Sequence, residues 1–496
     1  MNRLFRTKNV ADIQASLEAG EVGGLKRTLS AFDLVMLGIG AVIGAGIFST
    51  LGTAAVGEPG VRLGAGPALV LSFLLLGAVC VLAGLCYAEL TAMIPIAGSA
   101  YTYAYATLGE AVAWIIGWDL MLEYAIGNVA VAIAWSDYFC SLLRVFNIEL
   151  PLWLTTSYRN VVQAYPDRIG ELPTVFGHHI AINLPGVVIL GLITWILAIG
   201  IKESSRVNNA IVVLKLVVLA LFVGVGFFYI DPSNWQPFAP NGWKGIHQGA
   251  AIVFFAYIGF DAISTAAEET KNPQRNMPIG ILGALGICTL IYAVVGLVAT
   301  GIVPYQELKG SDPLARAFEV RGVAWMHLIL ALGAVISMTA VLLVFQLGQT
   351  RIFFSMSRDG LLPAWFRRIH PRFGTPFGST IWTGVLVAIG SCILDDDETY
   401  DLTNIGTLFA FLVVCLGVLA LRIKDPDRPR PFRVPAVWFV APLGAIACVY
   451  VMAGLPATAW KRFGIWMALG AVVYFFYGYQ HSKLRDQPQP VRTPPA

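Results

Sequence analysis

At 496 residues the chain is long enough for several soluble domains, yet 57% hydrophobic and only 13% charged residues exclude that reading, because soluble chains carry about 25% charged residues. The formal net charge of +3 is too small to argue for a nucleic-acid partner, so the basic residues are better read as reporters of orientation in a bilayer.

Apolar runs of the about 17–25 residues that cross a bilayer recur along the whole chain. In order they cover 31–56, 66–93, 112–143, 184–201, 207–229, 249–268, 278–302, 324–350, 378–394, 401–421, 434–454 and 463–479. Only helices and closed barrels satisfy their backbone in lipid, so the expected fold class is an all-α integral membrane protein with twelve transmembrane helices. With the N-terminus inside, the inner loops carry about twice as many Lys and Arg as the outer ones, which predicts both termini in the cytoplasm. Residues 1–30 and 480–496 are then cytoplasmic tails. The first tail is charged and precedes any apolar run, so no cleavable secretory signal is expected.

The first span contains "GIGAVIGAG" (38–46), with glycines at 38, 40, 44 and 46. A dinucleotide loop would need a strand before it and a βαβ unit around it, and span 2 follows instead. Gly40 and Gly44 also have the GxxxG spacing that lets two membrane helices pack closely. Span 6 tips the balance. It reads "FFAYIGFDAISTAAEE", interrupted mid-span by Gly259 and carrying Asp261 at membrane depth. Paired interruptions in corresponding positions of two halves point to an inverted-repeat transporter with a midplane site. The repeats are expected to be 31–230 (spans 1–5) and 249–421 (spans 6–10), with 434–479 (spans 11–12) appended. Five spans per repeat insert the halves in opposite senses, so the two broken helices meet. There the backbone of Ile43, Gly44, Ala45 and Gly46 faces a carboxylate, while carbonyls around Phe255, Ala256 and Ile258 accept from an ammonium. A ligand with both groups on adjacent atoms is an amino acid.

Ionisable residues inside spans are functional candidates, because each is unfavourable by at least about 2.5–3.5 kcal/mol. Lys215 lies nine residues beyond Arg206, roughly 14 Å deep at the helical rise, too far for its stem to reach water. It reads either as a structural ammonium fixed to carbonyls or a carboxylate, or as a titrating, proton-coupling lysine. Asp119 and Glu123 lie four apart on span 3 and share a helical face, which suits a structural role or proton handling. Asp261 reads either as a cap for the restarted helix, with Ser264 three residues on, or as a substrate contact. Glu89, Glu268 and Glu269 sit at span ends. The seven cysteines lie singly in apolar spans and the six histidines lack metal-ligand spacing, so no metal or cofactor is expected. A channel would need a repeated ring of polar side chains, and an enzyme a nucleophile or metal motif such as GxSxG or HExxH; neither is present.

The stretches "FDLVMLGIGAVIGAGIF", "CYAELTAMIPIAGSAYTYAYATLGE", "WIIGWDLMLEY", "FFAYIGFDAISTAAEETKNPQRNMPIGI", "GQTRIFFSMSRDGLLP" and "LTNIGTLFAF" resemble the cationic amino acid transporter family of the amino acid-polyamine-organocation superfamily, bacterial branch. The resemblance runs from about Leu25 to Gly478. It implies the leucine-transporter-type fold, a five-plus-five inverted repeat with broken helices 1 and 6 and two extra helices. It also implies amino acid uptake through the cytoplasmic membrane with proton coupling. Exchange of amino acids or polyamines and import of Arg or Lys are the alternatives. By the same resemblance Lys215 occupies the place where sodium-coupled relatives hold a cation. Phe345, in "VLLVFQLGQTR" on span 8, occupies the position that closes the pocket, where relatives taking long cationic substrates are expected to have glycine. The phenyl ring therefore predicts small neutral substrates. The expected partners are the amino acid, a proton and the lipid bilayer; the sequence identifies no small membrane partner.

Overall fold

The computed structural model describes residues 6–7, 27–94, 99–175, 177–200, 205–310 and 312–483. Helix α1 (Ala31–Val42) opens on a capping box: the Ser30 hydroxyl accepts from the Asp33 amide at 3.3 Å and the Asp33 carboxylate accepts from the Ser30 amide at 2.9 Å, satisfying donors that a helix start leaves bare. Beyond a break, a π-helical turn (Gly46–Thr50) and α2 (Leu51–Val56) complete the span. A hairpin of β1 (Gly57–Glu58) against antiparallel β2 (Arg62–Leu63) turns the chain into α3 (Leu69–Met93). Then come α4 (Ser99–Thr107), α5 (Glu110–Val145), α6 (Tyr158–Ala164), an antiparallel pair of β3 (Thr174–Val175) and β4 (His178–His179), α7 (Leu184–Ile199) and α8 (Ser205–Gly226).

The second half opens with another broken helix: α9 (Gly242–Val253), a 3-10 turn (Phe254–Tyr257) and a 3-10 helix (Phe260–Glu269). It continues through α10 (Pro273–Ile302), α11 (Pro313–Val320), α12 (Ala324–Arg358), α13 (Phe377–Ile393) and α14 (Asp396–Lys424). The chain ends in α15 (Val437–Met452), α16 (Ala457–Val473), a π turn (Tyr474–Gly478) and α17 (Tyr479–His481).

Among the described residues eight stretches are long and apolar enough to cross a membrane, and α7 and α13 are apolar but shorter. Val437–Met452 and Ala457–His481 reach that length and apolarity only together, and the chain bends by 115° between them. The two broken helices form the centre of the molecule: 89% of the apolar window is buried in both Ala31–Val56 and Gly242–Ser264, against 33% in Val207–Tyr229. Around them α3 packs on α10, α5 on α12 and α7 on α13. Helices α4, α6 and α11 fall in stretches the sequence reads as connections. α11 is held by its apolar face, with Leu314, Ala317 and Phe318 buried and the Phe318 ring edge-on to Phe222 at 5.6 Å.

Candidate functional site

The first break lies where the glycines predict it. α1 ends at Val42, and Ile43 turns away with φ −77° and ψ 96° while its amide still donates to Ile39 O at 2.8 Å. The helix resumes after Ala45, so the amides of Gly44, Ala45 and Gly46 open a new segment, where backbone donors lack intrahelical acceptors. The carbonyls freed at the end of α1 are taken by side chains from elsewhere. The Lys215 ammonium, buried on α8, donates to Gly40 O at 2.7 Å and Ile43 O at 2.9 Å. Tyr292, on α10, donates to Val42 O at 2.9 Å.

The second break follows α9. Ile258 is extended, Gly259 adopts φ +110°, a conformation glycine tolerates best, and the 3-10 helix restarts at Phe260. Asn404, on α14, donates its amide to Ala251 O at 2.8 Å and Ile252 O at 3.0 Å. The two breaks touch. A Cβ on Gly46 would stand 2.2 Å from Ala256 Cα, and one on Gly259 would stand 2.9 Å from Ala41 O. Only bare backbone fits at either point. The residues expected to bind substrate, Ile43 to Gly46 on one side and Phe255, Ala256 and Ile258 on the other, thus meet, all of them buried.

Asp261 is buried inside the first turn of the restarted helix, not ahead of it, and its carboxylate accepts from the Tyr124 hydroxyl at 3.3 Å. The cap position belongs to Gly259, which makes no side-chain cap. Phe345 meets the same tyrosine edge-on at 5.8 Å between ring centres. A Cβ on Gly127 would stand 3.2 Å from both the Phe345 ring and Thr403, so α5, α12 and α14 converge here. Val341, one turn before Phe345, fills the space beside Gly44. Phe345 and Asp261 are therefore joined through Tyr124, and Val341 stands at the first break.

Asp119 and Glu123 are buried on α5. The Asp119 carboxylate faces Gly406 on α14, where an added Cβ would stand 2.9 Å away. Neither Asp119 oxygen has a hydrogen-bond partner among the described residues. Glu123 lies in the field of both Asp119 and Asp261, with Thr407 alongside. Three carboxylates thus gather beside the second break.

Several participants escaped the sequence reading. Tyr292 and Asn404 hold the two breaks, and Asn128 is fully buried beside Gly127 with no partner for either polar atom among the described residues. Their common signal is a hydrogen-bonding side chain in mid-run, which costs free energy in lipid unless something answers it.

The chain is tied at both ends of this centre. At the end away from residue 30, Arg62 spans Glu58 at 2.9 Å and Asp401 at 2.7 Å, and next to Asp401 along α14 the Tyr400 ring meets Phe255 at a tilt, 4.8 Å between centres. Burial acts to raise the Glu58 carboxyl, but the hydrogen bond with Asp397 and the Arg62 guanidinium bring it below its ordinary value. At the other end Glu89 accepts from Arg422 at 2.7 Å and from the Val434 amide at 2.7 Å. Glu269 joins the start of α1 through its backbone carbonyl, and the side chain of Glu268 lies outside the described residues. Among the described residues no group of three or more His, Cys, Asp or Glu could hold a metal ion.

A paired break of backbone, buried within two apolar membrane-length stretches, is what an amino acid carrier needs. Residues 29–476 match the amino acid permease family. The chain belongs to that family. This permease is 47% identical to the methylthioribose transporter of Bacillus subtilis, over 98% of its own length and all of the relative's. It is 44% identical to the branched-chain amino acid permease BcaP of Bacillus subtilis, over 97% and 99%. It is 37% identical to the chloroplastic cationic amino acid transporter 9 of Arabidopsis thaliana, over 91% of its own length and 76% of the relative's. The permease is thus a transporter of the amino acid-polyamine-organocation superfamily and not an enzyme, as its motifs imply, and the family carries the leucine-transporter-type fold with it.

Proposed function

We propose that this permease imports neutral amino acids across the cytoplasmic membrane by proton symport with alternating access, favouring small side chains over cationic ones. The observation that carries the reading is the Lys215 ammonium on Gly40 O and Ile43 O. Charge-assisted hydrogen bonds are about twice as strong as neutral ones. Protonated, Lys215 locks α8 to the broken end of α1; on losing its proton it relaxes that lock and lets α1 swing. The substrate carboxylate sits on the amides of Gly44, Ala45 and Gly46 and its ammonium on carbonyls around Phe255, Ala256 and Ile258. Asp119, Glu123 and Asp261 supply the path by which the proton leaves.

The supporting frame is twelve spans with both termini cytoplasmic and repeats over 31–230 and 249–421. The pairing of short α7 with short α13, at corresponding places in the two halves, supports it. So does the 115° bend between α15 and α16, which suits a hairpin of two spans better than one straight span. Neutral selectivity draws on the Phe345 ring and on the branched-chain and methylthioribose names of two relatives. Methylthioribose itself is a second reading, favoured by the buried, unpartnered Asn128 carboxamide beside Gly127, which an aliphatic side chain does not need.

Uptake into proteoliposomes tests both readings. Labelled Ala and Val should accumulate with an inward pH gradient and not without one, and Arg should not compete. Counterflow that ignores the gradient would overturn symport in favour of exchange. Displacement by methylthioribose but not by Ala would favour the second reading.

A further inference from the structure

Where α10 begins, the connection between α14 and α15 returns across it and leaves a groove of about 850 Å³, lined by Arg275, Ile279, Leu282, Pro431 and Phe432 among others. The neighbourhood is strongly basic, and most of its charge is accounted for internally. Arg422 and Arg430 share Glu89, at 2.7 and 3.4 Å, and Arg428 pairs with Asp425 at 3.5 Å. Lys424 donates to Thr107 O at 3.2 Å. Arg275, in the groove wall, and Arg433, directly after Phe432, are exposed and make no ion pair among the described residues. Below them the same helix carries exposed apolar residues: Ile279 at 44%, Ile287 two turns on, then Leu290 and Val294 at one-turn steps. Arg275 therefore sits in the wall at the head of an apolar track down a membrane-crossing helix, with Arg433 one residue beyond the lining Phe432.

We infer that this groove binds one anionic glycerophospholipid, its phosphate on Arg275 and Arg433 and one acyl chain along Ile279, Leu282 and Phe432. Charge complementarity selects the occupant. Basic pockets between transmembrane helices take anionic headgroups, whereas an annular lipid held by apolar contact alone would need neither arginine. The lipid spans α10 and the α14–α15 connection, so it fastens the helix that follows the second break to the segment that follows α14. The inference depends on neither the substrate nor the coupling ion.

The test is native mass spectrometry of the purified full chain titrated with phosphatidylglycerol or phosphatidylcholine. One tight phosphatidylglycerol site is expected, weaker for phosphatidylcholine, with Arg275→Gln and Arg433→Gln each weakening it about fivefold. Arg367→Gln, elsewhere on the same end, should leave it unchanged. Phe432→Ser should weaken it with both arginines intact, and inorganic phosphate should not compete. Equal retention by the wild type and a variant carrying both Arg275→Gln and Arg433→Gln, equal binding of both lipids, or displacement by inorganic phosphate would each overturn the assignment.

Discussion

Lys215 and Asn404 do the same local job on two broken helices, yet they are not equivalent. Each comes from a neighbouring helix and donates to two carbonyls beside a break. One donor is a cation that can give up its charge; the other is a carboxamide that cannot. The first break is further held by Tyr292, while the second is set by its own glycine at φ +110°. The difference teaches a division of labour. In the proposed cycle the second break is the fixed wall of the site, and the first is the part whose anchoring changes when a proton arrives or leaves.

Removing the switchable anchor should have the largest effect. Lys215→Met is expected to abolish pH-driven uptake in proteoliposomes while the protein still runs as a monodisperse species. If the variant still concentrates substrate under a pH gradient, Lys215 is merely structural. The matching change at the fixed wall, Asn404→Leu, removes the side-chain donor from Ala251 O and from Ile252 O, the latter keeping the Phe254 amide, a loss of about 1–3 kcal/mol. It should lower the melting temperature and the uptake rate yet leave the pH dependence of uptake unchanged, and a shifted pH profile would erase the contrast between the breaks.

Where the breaks touch, Gly46→Ala forces a methyl to 2.2 Å from Ala256 Cα, a backbone atom that cannot step aside. A loss of about 1–3 kcal/mol is expected, with substrate affinity falling alongside thermal stability. Gly44→Ala, whose new methyl meets first the side chain of Val341, should be milder by both measurements. The smallest energetic change alters selectivity. Phe345→Gly should weaken Ala binding by about tenfold, or about 1.4 kcal/mol, and admit Arg or Lys in competition assays. Arg uptake equal to Ala in the wild type, unchanged in the variant, would remove Phe345 from the pocket.

The membrane class and both breaks were legible in the sequence because each has a one-dimensional signature: run length, mid-span glycine and an acid at depth. Gly46 and Gly259 lie at the contact between the breaks, as expected of glycines that permit close approach. Lys215 could be given a depth but not a partner, since its two carbonyls lie 175 and 172 residues away along the chain. Asn404 was hidden for the same reason, being 153 residues from Ala251. Tertiary partners of this kind leave no periodicity. Helices α4 and α11 were missed because nine and eight residues are too few for an apolar run to stand out.

Arg62 joins Asp401 across 339 residues with both side chains nearly out of water, 4% and 7% exposed. An ion pair sealed in this way is held together by attraction about as strong as the hydration it has given up. Pulling it apart into an open vestibule returns water to both ends, so shut and parted forms differ little in free energy. A greasy plug of the same size would favour the shut form by its buried area. The Arg62 end is therefore suited to parting and rejoining without a large energetic input, and salt acts on it through the parted, hydrated charges. Raising salt, which shortens the Debye length to about 3 Å at 1 M, should raise the fraction of open molecules seen by a thiol probe introduced beside Tyr400.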